Sequence, residues 1–332
     1  MPVDPSSARA PDLARAVAAL RRGGLVAFPT ETVYGLGADA TLPGALRRLY
    51  AVKGRPPAHP VIVHLGGADQ LTGWARDVPD AARALTDACW PGPLTVIVRR
   101  SARVPDEVTG GADTVGLRVP DQPLALALLH QFGDGIAAPS ANRFGRVSPT
   151  TAQAVVDDLG TDVDVVLDGG PCRVGVESTI VDCTGAQPAV LRPGGVTAAR
   201  LREILGTDVP VVSGSTVAAP GTLPSHYAPR ASVVLATRED AGARATAALD
   251  DGRHVAVLCE SPSPDLPPAV VWLDAGCDAD DYARNLYARL READARKVDL
   301  LLAIPPVSTG LGQAVADRLR RAAGARQHVE AR

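Results

Sequence analysis

The 332-residue chain reads as an α/β protein in two units: a mixed twisted sheet with helices over residues 1–207, and a smaller Rossmann-like, three-layer parallel-sheet domain over 231–332. Three observations predict this. Many short apolar runs with interspersed helical patterns fill residues 11–206, as expected of a mixed α/β unit. Residues 208–230, DVPVVSGSTVAAPGTLPSHYAPR, break that pattern with prolines, glycines and small polar side chains, the composition of a linker. From residue 231 onward strand and helix patterns alternate as β-α-β units.

Element by element, residues 11–22 place apolar side chains at helical spacing, and Gly23-Gly24 ends them with arginines in the last turn, where the helix dipole favours cations. Leu25–Phe28 reads as a buried strand closed by Pro29, and Thr30–Gly37 as a turn rich in hydroxyls and glycine. A helix over 43–52 runs into Lys53, and Val61–Leu65 returns as a strand. A helix near 80–89 leads through Trp90-Pro91-Gly92-Pro93 into a strand over 95–99. Further strands fall at 115–119, 135–138, 163–168 and 178–182, and helices near 121–131, 149–159 and 197–205. Beyond the linker come strands at 232–236, 255–259, 270–273 and 299–304, with helices at 239–250, 278–296 and 311–323.

Composition excludes several classes. An apolar fraction of 46% with 21% charge is that of a globular protein, and a net charge of −3 offers no general attraction to a polyanion. No apolar run approaches the length that spans a bilayer, and the first residues carry no apolar signal core, so a cytoplasmic location is expected. The five cysteines, Cys89, Cys172, Cys183, Cys259 and Cys277, form no C-x-x-C pair and have no histidines at metal spacing; they read as reduced core residues.

Nucleotide motifs of the common kinds fail. Residues 35–40 match G-x-G-x-x-A, but the turn is too long and no ribose-binding acid stands at 56–60. No P-loop occurs, and Ser140 is not in a G-x-S-x-G elbow. Chemistry-bearing residues gather instead where strands end. Lys53 is one of only two lysines among 34 basic residues and sits two positions before Arg55. A compact ammonium is not interchangeable with a guanidinium fork, so a position that stays lysine in an arginine-rich chain points to a need for that point charge. Pro139 turns the chain out of its strand and presents Ser140 and Asn142. Ser148-Pro149-Thr150 reads as a helix start whose free N–H groups suit a phosphate, with Ser148 as N-cap.

In order and spacing, FPTETVYGLGADA (28–40), Lys53-x-Arg55-Pro56, His59-Pro60, His64, WPGPLT (90–95), DTVGLRVP (113–120), APSAN (138–142), VESTI (176–180) and LRPG (191–194) resemble the YrdC-like domain of threonylcarbamoyl-adenylate synthases. SHYAP (225–229) and the β-α-β extension resemble the two-domain form of that family. The resemblance implies that L-threonine, bicarbonate or CO2, and ATP become threonylcarbamoyl-AMP and pyrophosphate, the activated precursor of threonylcarbamoyladenosine (t6A) in tRNA.

It further implies a catalytic set of Lys53, Arg55, Ser140 and Asn142. Threonine would meet Thr32, His64, Arg118, the backbone near Ala138, and Ser178. ATP would meet Arg55, His59, Thr114, Ser140, Ser148, Arg192 and Tyr227. The family often carries Asn where this chain has His59, and some relatives have Asn-Arg where this chain has Asp317-Arg318. Mg2+ would be held through the ATP phosphates, with no protein metal site. A downstream tRNA threonylcarbamoyl transferase would take the product, a tRNA contact is a further expectation, and no membrane is involved. The linker would fold over the nucleotide as a lid that excludes water. Two competing readings are an RNA-binding, translation-associated protein without catalysis, and a carbamoyltransferase-type relative. Near-neutral charge and few aromatics weigh against the first, and the absence of zinc-finger C-x-x-C pairs against the second.

Overall fold

The computed structural model describes residues 10–212, 217–221, 227–262 and 265–324. Among the described residues, thirteen strands form two sheets. The first is mixed and nine-stranded, built from β1 (Val26–Phe28), β2 (Gly35–Asp39), β3 (Ile62–His64), β4 (Leu94–Arg99), β5 (Thr114–Arg118), β6 (Ile136–Ala137), β7 (Val165–Val166), β8 (Thr179–Asp182) and β9 (Ala189–Arg192). Its order is β7-β1-β2-β6-β3-β5-β4-β8-β9. The second contains β10 (Ser232–Leu235), β11 (Val255–Cys259), β12 (Val271–Asp274) and β13 (Leu300–Ala303), ordered β10-β13-β11-β12 with every pair parallel.

Alternation along the second sheet explains its three layers. Val255, Val257, Cys259, Leu300 and Leu302 pack with Ala241, Ala245 and Ala248 of the helix Ala241–Asp250. Their neighbours Ala256, Leu258, Leu301 and Ala303 face the helices Ala279–Ala295 and Gly312–Gly324. With a period of two, successive residues must serve opposite faces, so helices are needed on both.

That second core does not stop at the sheet. Val33, Val147 and Val176 of the first unit lie in one apolar cluster with Tyr227, Leu286, Tyr287 and Leu319. Gly175 is where the backbones touch: its φ is +84°, and a Cβ there would stand 2.3 Å from the Ala283 carbonyl oxygen. Arg291 donates to the Val147 carbonyl at 2.6 Å and forms an ion pair with Asp158 at 2.7 Å. The two sheets are thus joined by shared core as well as by polar contacts.

Several elements depart from the sequence reading. Gly35–Asp39, expected within a turn, is an interior strand. Its glycines weaken strand propensity, but a Cβ on Gly37 would stand 2.8 Å from Ile136 Cγ2 and 2.9 Å from the Phe28 ring, so close packing requires glycine here. Ala189–Arg192 was not foreseen as a strand; Val212 N–H and Val190 N–H extend its edge by pairing it with the start of the expected linker at Pro210–Val212. The helix expected from Pro149 begins at Ala152 with Thr151 as its cap. The Pro149 and Thr150 carbonyls instead accept from Tyr34 and Cys172 N–H groups, which commits them to tertiary pairing. Only Val165–Val166 of the 163–168 run joins the ladder.

Among the cysteines, Cys172, Cys183 and Cys259 are buried as expected, while Cys89 is half-buried and Cys277 exposed; all five are free thiols. Ser225 and His226 of SHYAP lie outside the described residues. No described helix is long and apolar enough to cross a membrane.

Candidate active site

Strand ends of the first sheet converge on one cavity of about 50 Å³. Thr32, Arg55, His64, Arg118, Ala138, Ser140, Ser178, Arg192 and Tyr227 all line it, so nine of the fourteen residues singled out from the sequence come together. β3 and β5 run parallel with His64 opposite Arg118, which brings both side chains to the same rim. Arg118 is buried and donates to Thr32 Oγ1 at 2.9 Å and to the Gly92 carbonyl at 3.2 Å. Its Nη2 stands 2.7 Å from Glu31 Oε1, an ion pair whose angle falls short of a hydrogen bond. Thr30 and Thr32 hydroxyls bond each other at 2.8 Å, and Thr30 closes the turn onto the Val33 carbonyl at 2.6 Å. The hydroxyl-rich turn is therefore a rigid mount for Thr32 and Glu31.

His64 packs edge-on to Phe28, with ring centroids 5.8 Å apart, and its buried Nδ1 has no hydrogen bond of good geometry among the described residues. Burial, reinforced by the Arg118 charge, pushes its pKa down to about 3. The imidazole is neutral at physiological pH and has a nitrogen to offer a ligand.

Arg192 crosses from β9 to the neighbouring strand. Its Nε and Nη2 donate to the Ser178 carbonyl at 3.1 and 2.9 Å, and Nη2 also reaches Ser178 Oγ at 3.1 Å. Ser178 Oγ in turn shares a hydrogen bond with Thr95 Oγ1 at 2.8 Å. Nη1 of Arg192 donates to the Pro220 carbonyl at 2.9 Å, so linker residues Pro220 and Gly221 close the cavity with Tyr227. Val217 and Ala219 pack on Ile62, Ile97, Ile180 and Leu191 beside it.

Five expected residues lie off the cavity wall. Lys53 is buried behind it, its Nζ donating to the carbonyls of Ser140 at 2.6 Å and Asn142 at 2.5 Å. Burial, reinforced by the Arg55 charge, sets its pKa well below the usual lysine value. Asn142 spends Nδ2 on the Arg143 and Arg146 carbonyls, and its buried Oδ1 has no partner. His59 sits at the outer edge, its ring 5.6 Å from that of Phe144, and its carbonyl accepts from Tyr50. Thr114 shares a strand face with Arg118 but stands four residues upstream, roughly 13 Å at ordinary strand rise. Gly116 lies between them, with Thr95 and Ile62 side chains 3.4 and 3.5 Å from where its Cβ would stand.

Ser148 is the clearest correction. It caps no helix; its hydroxyl donates to Glu177 Oε1 at 2.7 Å in a fully buried cluster. Glu177 also accepts from Tyr287 OH at 2.7 and 2.9 Å and from Arg318 Nε at 2.7 Å. Burial alone would raise its pKa, but the charges of Arg318 and Arg192 outweigh burial and hold it at about 2. Glu31, Glu177 and Arg318 were assigned no role from the sequence. The available signal was a carboxylate inside each of two strand-end motifs, FPTETVYG and VESTI, flanked by apolar residues that bury it.

The charge count defines what the cavity can do. Among the described residues, Lys53, Arg55 and Arg192 are buried and bond to carbonyl or hydroxyl oxygens, with no carboxylate paired to any of them. Burial lowers the pKa of both arginines, the sign of a desolvation cost that an anionic ligand would offset. An apolar strip, a neutral imidazole and unmatched cations on one wall suit a small amino acid beside a phosphorylated ligand.

Comparison with known proteins assigns the class. The family model described as "Telomere recombination" (Sua5, YciO and YrdC) matches residues 18–194, and the model described as "Threonylcarbamoyl-AMP synthase, C-terminal domain" matches residues 196–324. Threonylcarbamoyl-AMP synthase of Pyrococcus abyssi is 41% identical over 318 residues, covering 92% of each chain. The enzyme of Bacillus subtilis is 39% identical over 335 residues, covering 97% of this chain and 96% of its own. The crystal structure of P. abyssi Sua5 complexed with L-threonine superposes with a TM-score of 0.88 at 39% identity, over 95% of this chain and 94% of that one. The chain belongs to the threonylcarbamoyl-AMP synthase family, in its two-domain form.

The Glu177 cluster makes a prediction about acid stability. A carboxyl held at about 2 in the folded chain and near 4.5 when unfolded contributes stability that is complete above about 4.5 and lost as pH falls toward 2. In urea unfolding at successive pH values, Glu177→Gln should be less stable than the parent at pH 6, with the gap narrowing as pH falls below about 4.5. A gap that stays constant down to pH 3 would show that Glu177 carries no buried charge.

Proposed function

We propose that this chain forms L-threonylcarbamoyl-AMP and pyrophosphate from L-threonine, bicarbonate or CO2, and ATP. The observation that carries the reading is the trio of buried cations without carboxylates, set beside a pocket of hydroxyls and one neutral histidine. The amine of threonine takes up CO2 to give a carbamate; a carbamate oxygen then attacks the α-phosphate, and the bond to the β-phosphate oxygen breaks as pyrophosphate leaves. The attacking carbamate brings a negative charge and further charge builds on the departing pyrophosphate, where fixed cations in a dry site lower the barrier most.

In this reading Arg118, oriented by Glu31 and Thr32, grips the amino acid's carboxylate, with Ser178 and the Ala138 backbone beside it. His64, neutral, faces the amino group or hydroxyl. Arg55 and Arg192 meet the phosphates. Lys53 fixes the Ser140–Asn142 segment through two of its three donors and adds its charge from behind, toward the carbamate and α-phosphate. His59, Thr114, Ser148 and Tyr227 complete the nucleotide side. Mg2+ would arrive with ATP, with the phosphates and water supplying its ligands.

Residues 1–207 carry this site, 208–230 the lid and 231–332 its buttress. The cavity has room for only a few waters at roughly 10–15 Å³ each, so the nucleotide enters when residues 217–221 and 227 move aside. Closure afterwards protects a labile mixed anhydride from water. The chemistry of that product requires a group transfer to follow, and we place it with a cytoplasmic transferase that modifies tRNA, with direct tRNA contact as a further element of the reading.

Incubation with ATP, threonine and bicarbonate should yield threonine-dependent pyrophosphate and threonylcarbamoyl-AMP. Arg118→Met should raise KM for threonine at least about tenfold while changing KM for ATP far less. Equal changes in both constants would remove Arg118 from the amino-acid subsite, and pyrophosphate released without threonine would contradict the reaction. Gly221 holds φ +74° where a Cβ would stand 2.1 Å from Tyr227 OH. Gly221→Ala should therefore unseat the lid, lowering the yield of intact adenylate per pyrophosphate released; an unchanged ratio would refute the lid.

A further inference from the structure

Arg318 is fully buried, and it belongs to the helix Gly312–Gly324 of the second unit. A guanidinium withdrawn from water is expensive unless each of its donors is matched. Arg318 matches Nε and Nη1 at the junction of the two units, while its buried Nη2 has no hydrogen-bond partner among the described residues. Nε reaches Glu177 at 2.7 Å, Nη1 reaches the Pro193 carbonyl at 3.0 Å and Asp317 Oδ2 at 2.7 Å, and the guanidinium lies 5.3 Å from the centroid of the Tyr227 ring. Glu177 immediately precedes Ser178, and Pro193 immediately follows Arg192. One side chain of the second unit thus bonds Glu177, which itself lines the cavity beside Ser178, and Pro193, which stands beside Arg192.

The charges give this contact a direction. Glu177 is a carboxylate that feels two cations, Arg318 and Arg192. It bonds the first and leaves the second to the Ser178 carbonyl and hydroxyl and the Pro220 carbonyl. Tyr287 and Ser148 add neutral donors that help to fix the carboxylate in place. Were Arg318 absent, Arg192 would be the remaining nearby cation for a buried carboxylate to recruit, and an Arg192 committed to Glu177 would be spent.

We propose that Arg318 is a positioning residue of the second unit that occupies Glu177 and thereby keeps Arg192 uncommitted for the nucleotide. This rests on the reading of Arg192 as a phosphate ligand, and it gives the second unit a part in the reaction that no contact with substrate would reveal. Asp317, bonded to both Arg318 and Arg321, steadies the donor from its own helix.

A charge-rescue experiment on the full chain separates this from simple docking. Arg318→Met should raise KM for ATP about tenfold or more, with KM for threonine changing less. Arg318→Met combined with Glu177→Gln should return KM for ATP to within about threefold of the parent, because the carboxylate that would capture Arg192 is gone. If Arg318 is only structural glue, the double variant will be at least as impaired as the single one, and that result overturns the proposal. Should Arg318→Met fail to fold, Glu177→Gln is compared with the double variant: equal KM values for ATP support the proposal, and a further tenfold loss in the double overturns it. Arg192→Lys tests the underlying reading separately. An unchanged KM for ATP in that variant would remove Arg192 from the nucleotide site whatever the rescue shows.

Discussion

Buried positive charge is the constraint on which this molecule turns. Lys53, Arg55, Arg118, Arg192 and Arg318 are all withdrawn from solvent around one cavity, and only Arg118 and Arg318 have carboxylate partners among the described residues. Carbonyl oxygens can satisfy donors but cannot cancel charge. The protein therefore builds strand ends and turns that aim carbonyls inward at Lys53, Arg55 and Arg192, and it leaves the remaining compensation to an anion. The hydroxyl turn at Thr30–Thr32, the Ser140–Asn142 segment and the Ser178–Arg192 crossing are three solutions to that single problem.

The second unit follows from the same constraint. Glu177 must be buried to stand next to Ser178, and a buried carboxylate needs strong donors. Tyr287 and Arg318 supply them from the two helices on one face of the parallel sheet, and Val33, Val147 and Val176 complete an apolar surface that those helices bury. The unit's contribution is to the shape and charge of a cavity whose wall is otherwise made by the first sheet, with Tyr227 lying under Arg318 at the cavity's edge.

Much of this was legible in the sequence where the signal was local. Strand-end motifs placed Thr32, Arg55, His64, Arg118, Ser140, Ser178 and Arg192 in one site because proline, glycine and hydroxyl residues dictate how a chain leaves a strand. The fold class and the β-α-β character of the second sheet followed from periodicity. Failures came where tertiary contact overrides local preference. Gly35–Asp39 is a strand because Phe28 and Ile136 leave no room for side chains at Gly37. Ser-Pro-Thr resembles a helix start, yet Ser148 caps no helix because its neighbours' carbonyls are claimed by Tyr34 and Cys172 from distant segments. Glu177 and Arg318 are 141 residues apart, and no local pattern links them.

The central claim, that uncompensated buried cations create the nucleotide site, is tested most directly by ligand-dependent thermal unfolding of the full chain. A ligand that binds only the folded state at a hundredfold excess over its Kd stabilises by about 2.7 kcal/mol. With ATP and adenosine compared at equal concentration, the account predicts a clear rise in Tm with ATP and little or none with adenosine, because the anion supplies the missing charge. A rise of the same size with adenosine would mean that the base and the apolar strip, and not the buried cations, hold the nucleotide.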